Sequence, residues 1–234
     1  MSKYLFYEAD MPLQNTTANF SEANYKHAIQ VLRLKMGNAV HITNGQGYWA
    51  QATVQSVEKK YAAYSIHQVH HALPTVGTKL VLAVAPTKNL ARLEWMLEKV
   101  VEMGVHAVVP IITKRTEKVF VKPHRLQQIA VSAMLQSNQY TLPTIAESVT
   151  FEQCLAKYTQ QVNCIAHCSS PNKVPLHSVD SAATMLLLIG PEGDFTEEEI
   201  DYAYQHQCIG VSIGTTRLRT ETAAMVATAL VLVK

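Results

Sequence analysis

The sequence predicts an α/β protein in two parts, a small β-barrel with one helix followed by a mostly parallel sheet covered by helices. Three observations carry this. The first 70 or so residues (~70) read as short strands separated by turn residues, as all-β units do. From Lys79 onward, apolar strand-like runs alternate with helix-period segments, the pattern of strand-helix-strand units. Two of those later runs end in glycine corners that open helices, Met185 to Thr196 and Val211 to Thr220.

In the first part, Tyr4 to Tyr7 reads as a strand, and Ser21 is placed to cap a helix running through Leu34. Ala39 to Thr43, Tyr48 to Val57 and Ala62 to Val69 follow as strands. The pattern changes at His71-Ala72-Leu73-Pro74-Thr75, which sets domains at 1–72 and 73–234. Beyond it, Lys79 to Ala85 is strand, Leu90 to Met103 helix, Ala107 to Thr113 strand, Pro123 to Asn138 helix and Val162 to Ala166 strand. The run Met185-Leu186-Leu187-Leu188-Ile189 then ends in Gly190-Pro191-Glu192-Gly193, and Thr196 with Glu199 forms a Thr-x-x-Glu capping box. Val211-Ser212-Ile213 is a short buried strand broken by Gly214, and Thr220 is placed to cap a final helix that is apolar nearly all round.

Composition bounds the function. With 234 residues, 48% hydrophobic and 16% charged, the chain can bury a substantial core. No apolar run approaches the roughly 20 residues that span a bilayer, and no signal-peptide pattern follows Met1, so the chain reads as soluble. Four cysteines without a secretion signal point to a reducing cytoplasm rather than a disulfide framework. A net charge of +2 permits a nucleic-acid partner without announcing one, so any RNA contact must come from a local patch.

Some patterns imitate sites. Asn44-Gly45-Gln46-Gly47-Tyr48-Trp49-Ala50 satisfies the loose dinucleotide fingerprint, yet it lies between strand-like runs where Asn-Gly signals a hairpin, and a phosphate loop must open a helix. Cys164, His167 and Cys168 have zinc-type donors but number only three, so no metal is expected. His67, His70 and His71 alternate along a strand exit and read as surface residues. Within His27 to Gly37, Ile29, Leu32 and Met36 fall on one helical face, while His27, Arg33 and Lys35 face outward. That face is either simply solvated or a holder of RNA phosphates, and the sequence leaves both open.

Either glycine corner alone is an ordinary α/β device. Their combination, with Arg219 and Glu221 bracketing the second at a strand-to-helix junction where ligands bind, is more specific. Three blocks, His27 to Gly37, Leu90 to Thr116 and the paired corners, make the chain resemble the RsmE family of SPOUT-class methyltransferases over essentially its full length. The resemblance implies methylation of N3 of a uridine in 16S ribosomal RNA of the small subunit, with S-adenosylmethionine as donor. It also implies a PUA-like amino-terminal barrel, a catalytic domain whose carboxy-terminal segment threads a trefoil knot, and a homodimer. Backbone groups of Leu188, Ile189, Gly190, Pro191, Glu192 and Gly193, and of Ile213, Gly214 and Leu218, would cradle the cofactor, with His167 and Thr222 nearby. Arg219 would orient the base or stabilise its anion and Glu221 would orient Arg219, with Glu192 the alternative orienting acid. RNA contacts would come from His27, Arg33, Lys35 and Arg115.

The chain also departs from the family pattern. Leu135-Gln136-Ser137-Asn138-Gln139 lacks the acid and base usual in that block, Gly214-Thr215-Thr216-Arg217-Leu218-Arg219 replaces Gly-Pro-Arg-Ile-Leu-Arg, and Asp194 stands where Gly is common, an exchange expected to be tolerated at a helix amino terminus. Two other functions are therefore weighed beside the enzyme: a non-catalytic RNA-binding or ribosome-assembly factor that kept the fold, and, more remotely, a nucleotide-dependent oxidoreductase.

Overall fold

The computed structural model describes residues 4–72, 77–117, 121–169, 173–180 and 183–233. The expected junction at Leu73-Pro74-Thr75 lies outside the described residues. The chain divides into two compact units, one of residues up to 72 together with Met134–Leu142, the other of the remaining described residues. Residues 134–142, which the sequence pattern assigns to the second domain, thus pack with the first unit.

The first unit is a five-stranded sheet in the order β1 (Leu5–Tyr7), β3 (Ala39–Thr43), β4 (Tyr48–Val57), β5 (Ala62–His71), β2 (Thr17–Asn19). The β3-β4, β4-β5 and β2-β5 pairs are antiparallel, while β1 runs parallel to β3. Register shifts in β4 after Gln51 and Val54 bend the long hairpin, as bulges do. One face closes over a core that includes Phe6, Phe20, Ile42 and Tyr64. Asn44 to Gly47 is the β3-β4 hairpin turn that the Asn-Gly signal predicts. Gly45 and Gly47 have φ of 72° and 86°, and the Asn44 side-chain oxygen accepts from the N–H groups of Gln46 and Tyr48.

The helix expected from Ser21 to Leu34 is real at its start and altered beyond it. Ser21 Oγ accepts from Asn24 N at 3.4 Å to open α1 (Glu22–Tyr25), which passes into a π-helical turn, Lys26–Val31. Arg33, just past the Leu32 cap, then sits at φ 55° as an exposed left-handed residue.

The second unit is an eight-stranded sheet whose pairs are all parallel. Its path is β11 (Val174–Pro175), β13 (Ile209–Ser212), β10 (Val162–Ala166), β12 (Thr184–Ile189), β6 (Lys79–Val84), β7 (Ala107–Ile112), β8 (Thr144–Ile145), with β9 (Val149–Thr150) also on β7. Strands β6, β7 and β12 are buried almost throughout because both sheet faces are covered, which is why they read as unbroken apolar runs rather than alternating ones. The helices are α2 (Leu90–Glu102), α3 (Pro123–Gln136), α4 (Phe151–Tyr158), α5 (Glu197–Gln205) and α6 (Thr220–Leu232). Asn89 caps α2, and Thr150 with Gln153 forms a capping box on α4, an element the sequence pattern did not single out because it spans only two turns. The third helix stops two residues short of Asn138, which takes φ 54° beyond the helix end.

Gly45→Ala would force a side chain into a positive-φ position and drive its Cβ to 2.9 Å from the Tyr7 ring. A destabilisation of about 2–3 kcal/mol is expected, read as a lower urea midpoint.

Candidate functional site

The two corners sit at the carboxyl ends of β12 and β13, beside the end of β10, and together enclose a cavity of about 540 Å³. That volume suits a small-molecule ligand. Its wall runs along Ala166 to Cys168, Ile189 to Glu192 and Val211 to Thr220, with Lys173, Asp194 and Ala223 completing it. Of the residues expected to hold a cofactor, His167, Ile189, Gly190, Pro191, Glu192, Ile213, Gly214 and Leu218 line this cavity. Leu188, Gly193 and Thr222 do not. Leu188 is fully buried in the strand, and Gly193 turns its Cα toward Arg115, whose side chain an added Cβ would meet at 3.4 Å.

Each corner is held by side-chain bonds to backbone. At the first, Thr196 and Glu199 form the expected capping box. Buried Glu199 uses its second oxygen to accept from Lys114 N at 2.8 Å, tying the loop after β7 to the start of α5. Arg115 donates to the carbonyls of Gly193 and Phe195 at 2.8 and 3.1 Å, so this residue, expected on RNA, braces the corner itself. Gly190 has a packing reason to be glycine: a Cβ would meet the Phe195 ring at 3.1 Å. Asp194 lies before the helix cap at φ 65°, which explains why glycine suits the position. Its carboxylate accepts from Phe195 N and Cys168 N, both at 2.8 Å, so the charge stitches the loop and joins it to the end of β10.

At the second corner the cap is not Thr220. Arg219 occupies the N-cap with extended backbone and no capping side-chain bond, and Thr220 is the first helical residue. The Thr220 hydroxyl is instead turned to Gly190 O, to which it donates at 3.0 Å, and Arg217 donates to Glu192 O at 3.2 Å. The corners are therefore joined to each other by two hydrogen bonds. Arg219 is exposed on the cavity wall. Glu221 is 7% exposed and faces Arg92 at 3.7 Å; among the described residues no hydrogen bond or ion pair joins it to Arg219, and its Oε2 has no hydrogen-bond partner. Glu192 accepts from Lys88 N at 3.1 Å. Arg92 and Lys88 were not singled out in the sequence, where each is one basic residue beside a helix start.

His167 is buried, and its Nδ1 has no partner among the described residues. Burial, reinforced by the charge of Lys173, lowers its pKa against a smaller opposing pull from Asp194. Cys164 is sealed in the core with its thiol pushed up to about 11, whereas Cys168 is exposed, so the three zinc-type donors occupy different environments.

In the first unit, His27, Arg33 and Lys35 are all exposed. The His27 ring also leans edge-on against Phe6, 6.0 Å away, so its face is partly structural. The Leu135 to Gln139 block spans the last two residues of α3 and the turn after it, where Gln139 N donates to Met134 O and Gln139 Nε2 to Ser137 Oγ.

The parallel α/β sheet with paired glycine corners closing a cavity at its strand ends is that of a SPOUT-class methyltransferase. Family models describe two matched segments, an RNA methyltransferase domain over residues 75–232 and an RNA methyltransferase PUA domain over residues 20–63. The chain belongs to this RNA methyltransferase family. It is 33% identical to a probable rRNA-methyltransferase from Porphyromonas gingivalis, with a TM-score of 0.89 over 96% of this chain and 95% of that one. A ribosomal RNA small subunit methyltransferase E from Neisseria gonorrhoeae, solved bound to S-adenosyl methionine, is 26% identical with a TM-score of 0.83, covering 97% and 95%. The Bacillus subtilis protein of the same name is 25% identical over 215 residues, 86% of this chain and 84% of its own. The RsmE resemblance read from the corners is borne out.

Because unfolded histidine, with its ordinary pKa of 6.5, binds more protons than buried His167, His167 lowers stability as pH falls through and below 6.5. His41 and His106 are lowered by burial too and act in the same direction. Thermal midpoints are expected to drop from pH 7 to pH 5.5, with a shallower drop in His167→Gln.

Proposed function

We propose that the protein transfers a methyl group from S-adenosylmethionine to N3 of a uridine in 16S ribosomal RNA of the small subunit, working in the cytoplasm where that RNA is assembled. The observation that carries this reading is the cavity between the two tied corners, with the exposed Arg219 on its wall. The residues present fit the cofactor. A buried His167 Nδ1 and the Cα face of Gly214, the first without a partner and the second with nothing within 4 Å of an added Cβ among the described residues, are features a ligand would satisfy. Relatives solved with S-adenosyl methionine bound support the assignment.

The cofactor supplies an electrophilic methyl on a sulfonium. The chain's residues have to hold the acceptor base in line with it and help a weakly acidic N–H ionise. As the N3 proton leaves, negative charge spreads onto the neighbouring carbonyl oxygens of the uracil ring. The Arg219 guanidinium at the cavity wall is the group we assign to that charge. Glu221, set against Arg92, serves to hold the start of α6 in place, and through it the backbone of Arg219. In the other unit the exposed Arg33 and Lys35, with His27, would take phosphates, a sequence-independent contact.

Assembly as a homodimer is part of the proposal. The final helix leaves Met225, Val226, Ala229 and Leu230 half-buried, and with Met103, just past the end of α2, they line an apolar groove of about 540 Å³. Apolar surface of this kind is costly in water and is covered readily by a second copy. A second reading, an RNA-binding assembly factor without turnover, is favoured by the altered block at Leu135 and Gln139 alone.

Purified protein incubated with radiolabelled S-adenosylmethionine and small ribosomal subunits lacking the modification is expected to place label in N3-methyluridine. Cofactor binding without label would favour the assembly factor. Arg219→Ala is expected to lower transfer by roughly 10²-fold or more with near-normal cofactor affinity, and unchanged turnover would remove its role. Light scattering at micromolar concentration is expected to give twice the monomer mass.

A further inference from the structure

The His167 ring is oriented by a residue that lies outside the cavity. Tyr204, on the last turn of α5, brings its hydroxyl to 2.9 Å from His167 Nε2, with the rings edge-on at 76°. The contact exists because β13 has a glycine at its second position. An added Cβ on Gly210 would overlap the Tyr204 hydroxyl and come within 3.2 Å of His167 Nε2. Gly210 is buried beside Ile165 of β10 and its φ is not positive, so backbone conformation does not require glycine there. Space for the hydroxyl does.

We infer that Tyr204 is a positioning residue that holds His167 as its Nδ1–H tautomer, aiming one hydrogen-bond donor at an oxygen acceptor of the nucleoside cofactor. The Tyr204 hydroxyl proton has no other acceptor among the described residues, and in the inferred arrangement it is donated to Nε2. Nε2 then acts as acceptor and the ring proton resides on Nδ1, the buried atom left without a partner on the side chain that lines the cavity. Lys173 fixes the backbone of the same residue, donating to His167 O at 2.7 Å. Burial and the Lys173 charge lower the ring's pKa against a smaller opposing pull from Asp194, which favours the neutral form with a single donor. A donor aimed this way discriminates for ligands that carry an acceptor there, because a mismatched ligand leaves a buried N–H unpaired.

The inference rests on the cofactor reading of the cavity, and its test separates the two. Protein labelled with ¹⁵N-histidine is observed free and with S-adenosylhomocysteine, with His167→Gln used to assign the ring. In the free protein His167 is expected as the neutral Nδ1–H tautomer, and in Tyr204→Phe as a mixture with the Nε2–H form. Calorimetry is expected to show roughly tenfold weaker S-adenosylhomocysteine binding to Tyr204→Phe. An Nε2–H tautomer in the wild-type free protein, or Tyr204→Phe binding as tightly as wild type, overturns the inference. An Nδ1–H ring with no cofactor binding by the wild type refutes the cofactor reading while leaving the hold of Tyr204 on His167 intact. 5′-Methylthioadenosine, which lacks the amino acid carboxylate, identifies the acceptor: a shift at Nδ1 with this ligand assigns it to the nucleoside, and a shift only with S-adenosylhomocysteine assigns it to the carboxylate.

Discussion

Everything at the site depends on two loops being held against one another, and the central constraint is the hydrogen bond from the Thr220 hydroxyl to the Gly190 carbonyl. Both groups are buried, and a buried carbonyl without a partner is costly. Satisfying it from the first residue of α6 sets the last helix over the end of β12, and the Arg217 bond to Glu192 O extends the same link toward solvent. With the corners joined, the cavity has a fixed floor and two walls. Without this link, each corner would be one more strand-to-helix turn of the kind found in any parallel sheet.

A second layer of bonds holds the first corner. Glu199 shares its carboxylate between the Thr196 and Lys114 amides, Arg115 spans two carbonyls, and Asp194 spans two amides. These three charged residues spend their polar atoms on backbone. The result is a corner whose main chain lines the cavity and is braced by side chains, the kind of preorganisation that group transfer requires. The same logic places Tyr204 behind His167. Tyr204, Glu199 and Arg115 direct groups at the cavity without lining it themselves.

The first unit follows a different principle. Its hairpin and core are ordinary antiparallel construction, but the segment 134–142 joins it, stacking Tyr140 on Trp49 and donating from Leu142 N to Gly45 O. The Leu135 to Gln139 block that departs from the family pattern lies at the head of this segment. Asn138 takes the left-handed conformation that glycine would take most readily.

Much was legible in the sequence because local chemistry specifies it. Unbroken apolar runs identified the buried parallel strands, the Thr-x-x-Glu pair started α5 where expected, Asn44-Gly45 turned a hairpin, and the paired glycine corners carried the family. Local chemistry could not reveal partners distant along the chain. Thr220 reads as a helix cap, yet its hydroxyl goes to a carbonyl thirty positions earlier, and the cap falls to Arg219. Arg115 reads as a cation for phosphate, yet it is bonded to the corner, and Glu221 meets Arg92 rather than Arg219. Gly210, which the sequence pattern does not single out, is the notch for a tyrosine hydroxyl. The sequence by itself determined which segments are strands, which turns are tight and which class of chemistry the chain performs, since those follow from periodicity and residue type. Only the tertiary structure decided what each polar side chain bonds to, because a buried hydrogen bond is specified by which segments fold together and not by the neighbours along the chain.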